Sequence, residues 1–115
     1  MVAATKEIDV DVLALQETWT PDGGVAQHDE VAEAMGYEVT AVQLSRADAW
    51  PAPRVVSPAD PEARTGTGDW SMALLARLPI TDVQVHRLPQ LRIDPSSRAV
   101  ISATVDVDGT QVDLV

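Results

Sequence analysis

The nine residues DVLALQETW, Asp11 to Trp19, decide how this chain is read. Four apolar residues, Val12 to Leu15, run straight into Gln16 and Glu17, and then come Thr18, Trp19, Thr20 and Pro21. A short continuous apolar run suits a strand covered on both faces, as in layered α/β proteins. The carboxylate at its end is the difficulty, because burying one is costly unless something positive meets it. Two readings of Glu17 stand: a solvated carboxylate at a strand end, or one that waits for a cation.

On either side of this strand, expected over residues 9–16, the pattern changes. VAATKEI, residues 2–8, reads as the last turns of a helix or as a connector, and TPDGG after Trp19 supplies turn chemistry. From Val25 to Met35 the positions Val25, Val31, Ala32 and Met35 follow helical spacing, with Gly36 placed as the C-terminal cap. YEVTAVQL, residues 37–44, alternates as a strand does. Residues 45–69 contain four prolines and no period, which predicts a long loop. WSMALLARL, residues 70–78, is apolar on both parities and reads as a second buried strand ended by Pro79. Residues 80–88 and 98–107 are further strands, and Asp108-Gly109 turns the chain into an antiparallel TQVDLV. The expectation is one α/β domain over residues 1–115: a strand–helix unit, then antiparallel strands. Both ends break into a pattern already under way and read as cut.

With 115 residues the chain has room for one core, and 45% hydrophobic with 23% charged residues is the composition of a globular protein. It has no cysteine, so neither disulfides nor thiolate metal sites enter. The net charge of -10 repels polyphosphate backbones, so nucleic acid is a possible substrate that the charge does not indicate. An anionic substrate would need a divalent cation to invert the local field. No apolar run spans a bilayer, and the N-terminus lacks the order of a signal peptide. That reads as cytoplasmic by default, with secretion left open by the cut start. The bias to Ala, Val and Arg, with Lys6 the single lysine, resembles a GC-rich bacterial genome.

His28 falls on the polar side of the expected helix and His86 lies on an alternating strand. Neither has a partner at metal or triad spacing, so both are expected at the surface. Ser71, Ser96 and Ser97 lack a nucleophile-elbow context. Trp70 is placed in the core, Trp19 at a cleft rim, and Trp50, among prolines, at an exposed contact.

These stretches together carry a resemblance. DVLALQETW resembles the first metal-site motif of the endonuclease/exonuclease/phosphatase superfamily. MGYEVT resembles that family's short helix, Gly-Tyr step and strand. TGTGDWSMALLARLPITDVQVHRLP resembles its Gly-rich entry, its Ala-Leu-Leu-Ala-Arg strand and the Pro-Ile step after it. SSRAVISATVDVDGTQVDLV resembles its Arg-led hairpin. The resemblance runs from about Ile8 to Val115. It implies part of a four-layered α/β sandwich with mixed or antiparallel sheets, and Mg²⁺- or Mn²⁺-assisted hydrolysis of phosphodiesters or phosphomonoesters. It implies that Glu17 is the catalytic metal ligand, and that Arg98 meets either a substrate phosphate or an acidic partner in an ion pair.

The family's first-strand Asn, its catalytic His, its Asp-x-Asn pair and its terminal Ser-Asp-His have no counterpart here. Only Glu17 of that catalytic set is matched. The chain is therefore expected to be a fragment, truncated at both ends and inactive alone. The alternative is a non-catalytic acidic α/β module that pairs with a protein partner through an incomplete sheet edge.

Overall fold

The computed structural model describes residues 1–47, 67–90 and 97–115. Among these residues two helices, α1 (Val2–Ile8) and α2 (Gln27–Met35), accompany six strands: β1 (Val12–Pro21), β2 (Glu38–Arg46), β3 (Gly68–Ala76), β4 (Ile80–Arg87), β5 (Ala99–Val107) and β6 (Thr110–Leu114). They form two three-stranded sheets, ordered β1-β3-β2 and β4-β5-β6, and every pairing is antiparallel.

Strand β3 is central to the first sheet and meets a core on each face. Ala73 and Leu75 point to the helices, where they join Val31, Ala32 and Tyr37, with Leu13, Leu15 and Met35 packed around them. Leu74 points the other way and joins Val42 from the same sheet and Ile101 and Ala103 from the second. Helices, sheet and sheet thus make three layers among the described residues. Two-sided burial is why residues 70–78 are apolar on both parities.

Local signals set the element ends. Gly36 takes a left-handed φ of 69° at the C-cap of α2, as its position in the sequence predicts. Asp108 and Gly109, at φ 52° and 82°, make the β5–β6 turn, where Asp106 Oδ1 accepts from the Gly109 N–H at 2.7 Å. At the other end of the chain, α1 closes on Asp9, whose carboxylate pairs with Arg77. That guanidinium also lies 5.2 Å over the ring of Tyr37, and the Tyr37 hydroxyl donates to the Val10 carbonyl. The α1–β1 turn is thereby tied to the end of β3.

Two expectations change. The first strand, expected over residues 9–16, instead runs from Val12 to Pro21, because an irregularity between Leu15 and Thr18 lets pairing resume after the polar pair. The loop expected over residues 45–69 is shorter at both ends. Ser45 and Arg46 continue β2 opposite Trp70 and Asp69, and Gly68 already belongs to β3. Residues 48–66 of that loop, Trp50 among them, and Ser96 lie outside the described residues. Among the described residues no helix is long and apolar enough to cross a membrane.

Arg46 holds the open end of the first sheet together. Its two guanidinium nitrogens donate to the two carboxylate oxygens of Asp22 at 2.8 and 3.0 Å, and Nη1 also reaches Asp69 at 3.4 Å. The hydrogen bond from Arg46, then one from Thr67, pulls the Asp22 carboxyl down from 3.8 to about 2. A depressed folded-state value means that this contribution to stability is present above pH 3.8 and is lost as the pH falls toward about 2. A carboxyl-shift titration by NMR should place the Asp22 midpoint near the lower value, and Arg46→Ala should return it to the ordinary range.

Gly68 makes a second checkable point. A β-carbon there would lie 2.3 Å from the Thr20 carbonyl oxygen and 2.6 Å from the Trp19 ring. The strand can take a side chain only by shifting the Thr20 backbone and displacing a buried tryptophan. Gly68→Ala should cost about 1–3 kcal/mol in urea unfolding, whereas Gly109→Asn, with open space at its turn, should cost less.

Candidate active site

The irregularity in β1 is a bulge with a specific effect. Leu15 pairs with Ala73 and Thr18 with Ser71, so Gln16 and Glu17 together oppose the single residue Met72. Side chains alternate along a strand, and without the extra residue Glu17 would pair with Ser71 and face the buried side beneath α2. With it, fully buried Thr18 takes that inward place and Glu17 stays exposed. The backbone meets the geometric demand at Glu17 itself, which adopts φ 53°. A non-glycine residue in that region costs about 1–3 kcal/mol, and such residues cluster at functional sites.

Strand β2 answers from the other edge. Gln43 pairs with Ser71 and Ser45 with Trp70, leaving Leu44 as an extra residue. Its carbonyl, outside the ladder, accepts from the backbone N–H of Ser97 at 2.8 Å and from the Ser97 hydroxyl. Arg87 donates to the neighbouring Gln43 carbonyl at 3.2 Å and to Ser97 Oγ at 3.4 Å. The segment leading into β5 is in this way fastened to the first sheet, and Arg98 is next in the chain.

Between the two bulges lies a cavity of about 470 Å³. Glu17 and Arg98 both line it, along with Gln16, Ser45 and Ser97, over an apolar floor that includes Met72 and Leu44. The two residues singled out in the sequence therefore share one concave site. Trp19 and Trp70 pair across β1 and β3 with ring centroids 4.9 Å apart at 53°, and Trp70 reaches the cavity wall. Trp70 is buried as expected. Trp19 is not the cleft-rim residue expected, because its ring is covered by Gly68 and Trp70.

His28 is the clearest departure. Expected at the surface, it is only 7% exposed, with Nδ1 2.9 Å from Thr18 Oγ1. The helical pattern placed it on the polar side, but α2 packs its first turn against the strand just where the bulge brings Thr18 round. Gln27, beside it, accepts from the Trp19 N–H at 2.9 Å. His86 is exposed as expected, 3.4 Å from Ser102 Oγ and outside the cavity. Sequence reasoning missed Ser97, Leu44 and the Thr18–His28 pair. One signal was available: three successive polar residues, Gln16 to Thr18, separate the apolar run ending at Leu15 from Trp19.

Among the described residues no three His, Asp or Glu side chains converge as a closed metal cage. The cavity instead offers hard oxygen donors: the Glu17 carboxylate, the Gln16 amide and the Ser45 hydroxyl. That set suits a Mg²⁺- or Mn²⁺-type ion that takes one or two protein carboxylates, keeps several waters and shares a phosphate with its substrate.

The profile described as "Endonuclease/Exonuclease/phosphatase family" matches residues 2–112. Among solved structures, an endonuclease/exonuclease/phosphatase family protein from Leptotrichia buccalis C-1013-b superposes with a TM-score of 0.62 at 14% identity. The alignment covers 97% of this chain and 43% of that one, so this chain spans less than half the length of the protein it matches. No curated protein matches the sequence.

The backbone at Glu17 yields a direct test. Glu17→Gly should relieve the left-handed strain, and Glu17→Val should aggravate it, separating the two variants by about 1–2 kcal/mol in denaturant unfolding. Equal stabilities would mean that the bulge relaxes around any residue.

Proposed function

Because the chain belongs to the endonuclease/exonuclease/phosphatase family, we propose that the Glu17–Arg98 cavity is one side of a divalent-cation-dependent phosphoesterase site. The observation that carries this reading is the β1 bulge, which turns Glu17 out of the helix-facing core and into the cavity that Arg98 lines. Residues 1–115 correspond to less than half of the matched structure, so the activity is proposed for the complete domain. The reading includes the four-layered sandwich, of which three layers are described, and a phosphodiester or phosphomonoester as substrate.

Glu17 would hold the Mg²⁺ or Mn²⁺, with Gln16 beside it to orient the carboxylate or a bound water. The ion, when bound, polarises a phosphoryl oxygen and offsets charge that develops in the transition state. Arg98 presents a planar fork of donors matched to two phosphate oxygens. Ser97, held on the freed Leu44 carbonyl, fixes the backbone from which Arg98 projects. Met72 and Leu44 give the cavity an apolar floor beneath these charged groups. With the chain at -10 overall, Arg98 and the ion are what make the cavity hospitable to an anion.

A second reading has one observation in its favour. Among the described residues strands β1 and β6 are both sheet edges, and an apolar groove of about 660 Å³ lined by Val12, Ala14, Leu74, Ile101 and Leu114 runs beside them. Such edges are templates for strand addition, as a non-catalytic interaction module would use them.

The deciding experiment assays the full-length gene product against a generic phosphodiester and a phosphomonoester with Mg²⁺ or Mn²⁺. Glu17→Gln should lower kcat/KM by about a hundredfold or more, and EDTA should abolish turnover. Arg98→Ala should raise KM more than it lowers kcat. Activity untouched by Glu17→Gln would remove Glu17 from its role. A defined protein complex that forms with no divalent cation, together with no hydrolysis, would favour the second reading.

A further inference from the structure

Three hydrogen bonds converge on the two residues that follow Glu17. Thr18 Oγ1 donates to the Ser71 carbonyl at 3.2 Å and lies 2.9 Å from His28 Nδ1. The Trp19 N–H donates to Gln27 Oε1 at 2.9 Å. A threonine hydroxyl has a single proton, and a carbonyl can only accept. With that proton directed at Ser71, the hydroxyl must accept from His28, so Nδ1 carries a hydrogen. The second ring nitrogen stands 3.8 Å from Asp29. Thr18 is 0% and His28 7% exposed, so this chain of bonds is shielded from competing water.

The location of these bonds matters. The polar pair Gln16–Glu17 is the one place where β1 carries a residue too many, and a bulge of this kind has neighbouring registers. If it slips by one residue, Glu17 comes to pair with Ser71 and turns toward α2, out of the cavity. Thr18 then loses both partners. Two consecutive residues at the start of α2 therefore grip the strand on the far side of the bulge, while Ser71 holds it from β3. Glu17, next to these bonds, has the left-handed φ of 53°.

We propose that His28 is a positioning residue: through Thr18 it locks the β1 bulge in the register that aims the Glu17 carboxylate into the Arg98 cavity. Its consequence for cation binding rests on the reading of Glu17 given above, whereas its effect on the backbone does not. His28 touches neither ion nor substrate in this account. It acts by selecting which of two strand registers is occupied.

The test uses the isotopically labelled full-length protein. The intraresidue amide–Hα NOE and the amide–Hα coupling at Glu17 distinguish a left-handed from an extended backbone with no cation present. Wild type and His28→Asn, whose amide can donate from near the Nδ1 position, should show the left-handed signature. His28→Leu and Thr18→Val should lose it or average it. In the same proteins Mn²⁺ affinity, read by EPR of the free ion, should weaken by about tenfold or more in the Leu and Val variants and recover in the Asn variant. That loss should vanish in a Glu17→Gln background.

A folded His28→Leu or Thr18→Val protein with the wild-type signature at Glu17 would overturn the proposal. So would global unfolding of both variants, because the bonds would then support the whole fold and not one register. If the signature changes as expected but Mn²⁺ affinity ignores Glu17→Gln, the register lock stands and the cation reading falls.

Discussion

Strand β3 has to satisfy two cores at once, and the rest of the molecule is arranged around that constraint. Leu75 and Ala73 close the space beneath the helices, while Leu74 closes the space between the sheets. Leu75 and Ala76 are fully buried. A strand covered on both sides leaves its edge partners little latitude: whatever β1 and β2 bring to β3 must suit one core or the other. Glu17 suits neither. The extra residue opposite Met72 resolves the conflict by giving the inward position to Thr18, whose hydroxyl can be fully hydrogen-bonded there.

The same device recurs on the opposite edge, where Leu44 is the extra residue. Here the gain is a free carbonyl instead of a displaced carboxylate, and Ser97 uses it to dock the start of β5. Two bulges flank the Trp70–Met72 stretch of β3, and the cavity that Glu17 and Arg98 line lies between them. Both interrupt the ladder locally, and another element fastens the strand beside each: Ser97 on the Leu44 carbonyl, and Gln27 and His28 on Trp19 and Thr18. Strain is concentrated at this end of the sheet, while the Val12–Leu15 end pairs without interruption.

Much of the fold was legible because it depends on neighbours in the chain. Asp108-Gly109 needs two left-handed residues in a row and has the pair that tolerates them. Gly36 ends α2 for the same local reason. The apolar run in β3 reports burial on both faces whatever lies across from it. His28 was misread because helical periodicity says which residues share a face, and not what another strand brings against the first turn. Trp19 was misread for a related reason: its cover comes from Gly68 and Trp70, about fifty residues away in the chain.

The sequence by itself determined the order of elements, the antiparallel hairpin, a strand buried on both faces and the family resemblance that DVLALQETW carries with the later stretches. It also singled out Glu17 and Arg98. Only the tertiary structure decided that these two share a cavity, that Thr18 and not Glu17 faces α2, and that His28 is buried against it. The physical reason is register. A strand's side chains alternate with a period of two, so a single extra residue reverses which of them face inward. Where that residue falls is set by the partner strand and the helix packed above, neither of which lies within reach of a local pattern.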